Sequence, residues 1–155
     1  MIRTRLITVF CLCLCLLTKL SSRVSAEPTT PWKAAAGAVA ITPDEPVWMA
    51  GYASRDKPSE GKVHDLFAKV LVVEDSAGNR LAIVTTDLIG ITPELRFGVE
   101  VMADKFGIAP ESLLMNASHT HCGPELRGER LVRFGIDAKY SAMSHAYVQQ
   151  VAIKI

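Results

Sequence analysis

The chain has 155 residues, 17 of them basic and 16 acidic, and 49% are hydrophobic. Arg3, Arg5, Lys19 and Arg23 fall in an amino-terminal leader that carries no acid, so the remainder holds 13 basic against 16 acidic residues. A net charge of about −3 argues against a nucleic-acid partner.

Met1 to Ala26 reads as a secretory signal peptide. Arg3 and Arg5 form its basic start, Leu6 to Leu17 its apolar stretch, and Val24-Ser25-Ala26 its cleavage site. The apolar run is shorter than the ~20 residues a membrane span needs; a retained anchor is the competing reading. Cleavage predicts a secreted or periplasmic protein. It also removes Cys11, Cys13 and Cys15, which leaves Cys122 alone and excludes an intramolecular disulfide.

Residues 27–33 form a Pro/Thr linker, and residues 34–155 form one small domain. Ala34 to Ile41 is small and apolar enough for a buried strand, closed by Thr42-Pro43-Asp44-Glu45-Pro46. Val47 to Tyr52 fits a short strand or an ordered loop, and Ser54 to Lys62 an exposed loop. Leu66 to Glu74 and Arg80 to Thr86 are apolar and β-branched, and the Asp75-to-Asn79 turn between them predicts an antiparallel hairpin.

A helix follows. Thr92 caps it, Pro93 suits its first position, and Gly107 stops it. Leu95, Val99, Met102, Ala103 and Phe106 form its apolar stripe. Leu113 to Ser118 is the next strand, so a βαβ unit with parallel strands is expected. Asp137 caps a last helix from about Ala138, with Tyr140, Met143, Tyr147 and Val151 in one stripe. That helix meets Ile155 with no cap, which predicts a chain cut off in mid-element. The fold class expected is α/β: a mixed β-sheet with flanking helices.

The chemistry concentrates at Leu113 to Pro124, an apolar strand ending in His119-Thr120-His121 and a Gly-Pro turn. Residues i and i+2 of an extended segment face one side, so both imidazoles can address one pocket if the strand persists through Thr120. Imidazole is a common metal ligand and titrates near neutral pH; a pair that merely satisfies local hydrogen bonds is the other reading. Placement at the carboxyl end of a parallel strand favours a ligand site. Asp87 ends the first strand of the unit, where it could orient a metal-bound imidazole or serve as a turn residue. His64 could reach the same rim or be a hydrogen-bonded loop residue, and His145 lies on a solvated helix face. Cys122 is a turn-packing residue or, in a third reading, the nucleophile of a cysteine hydrolase.

These residues carry a resemblance. Gly51-Tyr52, His64, Leu71 to Asp87 and, above all, Asn116 to Pro124 resemble the amino-terminal part of neutral/alkaline non-lysosomal ceramidases. The Ala/Thr-His-Thr-His-Ser-Gly-Pro signature of that family looks like Ser118 to Pro124, with Cys122 where serine is usual. The likeness runs roughly from Gly37 to Arg127. It implies a zinc-dependent amide hydrolase that splits ceramide into sphingosine and a fatty acid, with peripheral membrane contact allowed. It further implies that His119 is a zinc ligand and that His121 is catalytic, beside the metal-bound water or the scissile group. The family's remaining ligands, a histidine, a glutamate and a tyrosine, come from later in a longer chain. The present chain is therefore expected to be an incomplete and inactive part of the hydrolase domain. The alternative is an exported α/β module that acts in binding without catalysis.

Overall fold

The computed structural model describes residues 32–155. The leader and nearly all of the linker lie outside them. Four strands, β1 (Lys33–Ala40), β2 (Phe67–Glu74), β3 (Arg80–Thr86) and β4 (Leu113–Ala117), form one sheet in the order β1-β2-β3-β4. The first two pairings are antiparallel and β3–β4 is parallel, so the sheet is mixed and contains the expected βαβ unit. Its crossover is helix α1 (Pro93–Asp104), followed by a 3₁₀ turn at Pro110–Ser112. Helices α2 (Gly128–Arg133) and α3 (Ala138–Lys154) come after β4. No helix among the described residues is long and apolar enough to cross a membrane.

Local chemistry explains the element ends. Thr92, in extended conformation, accepts the Leu95 N–H at 3.2 Å, and Pro93 occupies the first turn, where no N–H is needed. Gly107, at φ +69°, turns the chain away just beyond the helix. In the β2–β3 turn, Asp75 Oδ1 accepts the Ala77 and Asn79 N–H groups at 2.8 and 2.9 Å, and Gly78 takes φ +85°. Asp137 caps α3 by accepting the Lys139 N–H at 2.9 Å.

The core lies between the helices and one face of the sheet. Ala68, Ala82, Val84 and Leu113 from the strands meet Leu95 and Val99 of α1 and Tyr147, Val148, Val151 and Ala152 of α3. The helices approach closely: a Cβ placed on Gly98 would lie 2.7 Å from Ala152 Cβ. The Tyr147 hydroxyl, deep in this layer, donates to the Ile41 carbonyl at 2.7 Å, and burial pushes the phenol far above its usual pKa.

Two expectations need correction. β1 is an edge strand, and only Val39 in it is partly buried. The opposite sheet face, with Leu71, Leu81 and Leu114 at 38%, 44% and 53% exposure, has no second layer among the described residues. Small apolar residues were compatible with burial but did not require it. Phe106 is not part of the α1 stripe: the helix has ended at Asp104, and the ring is 66% exposed.

Candidate functional site

The carboxyl ends of β3 and β4 lie side by side, because the two strands are parallel. Beyond them the pairing continues irregularly, with Ser118 N–H donating to Thr86 O at 2.9 Å and Thr120 N–H to Leu88 O at 3.2 Å. Between these bonds His119 adopts φ +56°, the left-handed region that a β-carbon disfavours. Extended geometry therefore stops before Thr120, contrary to the simple i, i+2 expectation. The imidazoles still come together, with ring centroids 5.3 Å apart and planes at 63°.

The His119 ring is exposed and directed. Its Nδ1 lies 2.8 Å from the Ile89 carbonyl. A carbonyl only accepts, so Nδ1 carries a proton, and in the neutral ring the lone pair is left on Nε2. This is the arrangement in which a neutral imidazole binds a metal while a second partner fixes its tautomer. Ile89 thus supplies what the sequence suggested for Asp87. Asp87, in the bend just past β3, instead acts as a turn residue that ties this strand end to β2: its Oδ2 accepts the Phe67 N–H at 2.9 Å, and its own N–H donates to Phe67 O at 2.9 Å.

His121 is held from the other side by the segment after β1. Ala50 N–H donates to Gly123 O at 2.9 Å, Glu125 N–H donates to Trp48 O at 2.8 Å, and Met49 bridges to Pro124. The resulting ribbon places the Tyr52 ring edge-on to His121, with centroids 4.9 Å apart. Gly51, at φ +106°, leaves room for the imidazole, since a Cβ there would sit 2.6 Å from His121 Cβ. Arg55 Nη2 donates to the His121 carbonyl at 2.6 Å. The far end of the ribbon is anchored by Glu125, only 5% exposed, which accepts from Arg127 Nε and Nη2 at 2.6 and 2.8 Å. Ser144 of α3 donates to the Glu125 carbonyl at 2.7 Å.

The other candidates stand apart. His64 is an exposed loop residue with Nδ1 3.1 Å from Asp65 O. It shares an open groove with Cys122, which His119 and His121 do not line. Cys122 is exposed, and no hydrogen bond among the described residues joins its Sγ to an imidazole. His145, on the exposed face of α3, pairs with Glu94 of α1 at 3.1 Å. The residues present fit zinc at one position: His119 offers a directed nitrogen. No cluster of three or more His, Cys, Asp or Glu that could hold a metal occurs among the described residues. Arg55, Ile89 and the Glu125–Arg127 pair escaped the sequence reading. Arg55 sits in a charged loop without a motif, and Ile89 acts through its backbone.

Among solved structures, neutral ceramidase from Pseudomonas aeruginosa is similar to this chain, with 26% identity and a TM-score of 0.62 over 80% of this chain and 21% of that one. A ceramidase complexed with C2 is similar at 26% identity and a TM-score of 0.59, over 77% of this chain and 20% of that one. No family model and no curated protein matches. The chain thus has a ceramidase-like fold and spans about a fifth of the length of the ceramidases it matches.

Proposed function

We propose that this chain is part of a zinc-dependent amide hydrolase of the neutral ceramidase type, acting on ceramide or a similar lipid amide. One observation carries the reading. At the carboxyl end of β4, in a ceramidase-like fold, His119 is turned by a left-handed backbone and a carbonyl partner so that Nε2 is free to bind a metal.

In this reading His119 is a zinc ligand, and His121 stands beside it to move a proton or to polarise the amide. Zinc, when bound, activates water and polarises the amide carbonyl. A catalytic zinc usually takes three protein ligands, and the described residues supply one directed imidazole and a second near it. The further ligands come from a longer polypeptide, and this chain alone binds zinc weakly and turns nothing over. Met1 to Ala26 directs export to the periplasm or the cell exterior, where the enzyme meets its lipid substrate at a membrane surface. A binding module without catalysis is the second reading, favoured by the same shortage of ligands.

Zinc content and hydrolysis of a fluorescent ceramide by the full-length enzyme test the proposal. His119→Ala should lose zinc and activity together. His121→Ala should retain most zinc and lose on the order of 10²–10⁴ in rate, the range for a positioned acid or base. Cys122→Ser should be tolerated, since the side chain takes no part in the site. Full activity in His119→Ala would overturn the ligand assignment.

A further inference from the structure

Arg55 makes more contacts at this site than a loop residue needs for solubility. Its three guanidinium nitrogens go to three different atoms: Nη2 to the His121 carbonyl at 2.6 Å, Nε to the Ala50 carbonyl at 3.3 Å, and Nη1 to Met49 Sδ at 3.6 Å. The guanidinium carbon also lies 5.4 Å from the centre of the Tyr52 ring, whose edge relation to His121 completes the circuit. No carboxylate pairs with Arg55 among the described residues, so its charge serves backbone carbonyls and an aromatic face.

We infer that Arg55 is the positioning residue of His121: its planar fork locks the ribbon of residues 49–52 onto the turn after β4 and thereby fixes the direction of the His121 ring. The inference rests on the reading above only in taking His121 as a member of the site. Fixing the carbonyl sets the peptide plane, and with it the Cα–Cβ direction of the residue that bears the ring. Gly51 and Tyr52 then close the remaining directions, one by leaving space and one by ring contact. Lysine cannot substitute here, because a single ammonium on a flexible stem does not reproduce three coplanar donors. The side chain is only partly buried, yet the bond to His121 is short and charge-assisted, the stronger kind.

The test uses the 155-residue chain labelled for NMR, with Arg55→Lys and Arg55→Ala beside the parent. Two signals report on the clamp: the His121 ring resonances, and hydrogen exchange at the Ala50 amide, which bonds across the ribbon to Gly123. Both variants should shift or broaden the His121 signals and speed Ala50 exchange by about 10–100-fold, the loss of a charge-assisted bond. The His119 ring, held by Ile89, should keep its parent signals. If Arg55→Ala fails to fold, Arg55→Lys decides alone. Unchanged His121 signals in a folded variant, or parent behaviour in Arg55→Lys, would overturn the inference. In the full-length enzyme Arg55→Lys should lower kcat about tenfold or more, with KM and zinc content unchanged. A parent enzyme that hydrolyses no ceramide would defeat the functional reading and leave the NMR result, and the positioning role, standing.

Discussion

At residue scale the site depends on two unusual backbone conformations. His119 accepts left-handed geometry at a cost of roughly 1–3 kcal/mol, and the Ile89 carbonyl with the two flanking backbone bonds holds it there. Gly51 adopts φ +106° without that cost because it lacks a β-carbon. Gly51→Ala should therefore destabilise the chain by about 1–3 kcal/mol in urea unfolding. It should also displace His121, since the new Cβ falls 2.6 Å from His121 Cβ and Cγ. A fully stable Gly51→Ala chain with unmoved His121 resonances would contradict this account of the turn. The imidazole pair was legible in the sequence because both residues lie in one short segment whose strand, turn and family likeness agree. What aims them was not legible. Asp87 was the plausible orienter by type and position, but the bond to Ile89 depends on a backbone carbonyl, which no side-chain pattern announces.

At element scale, the strands and the two longer helices followed from periodicity and caps, and the antiparallel and parallel sense of their pairing followed from the hairpin turn and the crossover. The close approach of α1 and α3 did not, since it depends on a glycine in one helix meeting an alanine in the other. Gly98→Ala illustrates the competition. Alanine gains about 1 kcal/mol of helix propensity over glycine, but its Cβ would lie 2.7 Å from Ala152 Cβ in a filled layer. Overpacking costs about 1–3 kcal/mol, so the net effect should be a loss of up to about 2 kcal/mol. Adding Ala152→Gly should recover part of it. A cycle of the two substitutions, followed by urea unfolding, measures the coupling; strict additivity would refute a direct clash.

Over the whole molecule, the sequence could say that β1 is apolar but not whether anything covers it; burial is a property of layers, and composition does not count layers. The acid response is also a property of the assembled sheet. Glu74 bonds Lys33 of β1 at 2.8 Å and Arg80 of β3 at 2.7 Å. Lys33 first, and then Arg80, hold its carboxyl below the usual 4.5. A carboxylate whose folded pKa is depressed contributes stability that is complete above its unfolded value and lost as pH falls through the folded one. The melting temperature should thus decline below about pH 4.5, and Glu74→Gln should flatten that limb, with the two curves converging at the acid end. An unchanged acid limb in the variant would show that the cross-strand ion pairs do not couple to folding.

The contacts that direct the two imidazoles span long stretches of chain. Ile89 reaches His119 across 30 residues, and Arg55 reaches His121 across 66. Parallel pairing of β3 with β4 itself waits for the α1 crossover to close. Contacts this distant in sequence carry a larger loop-closure cost than those of a hairpin or a helix. A nascent chain, or an excised peptide bearing His119-Thr120-His121, lacks the Ile89 and Arg55 partners and so holds two histidines with no fixed tautomer and no direction. The tautomer of His119 and the direction of both rings are set only when these long-range bonds have formed.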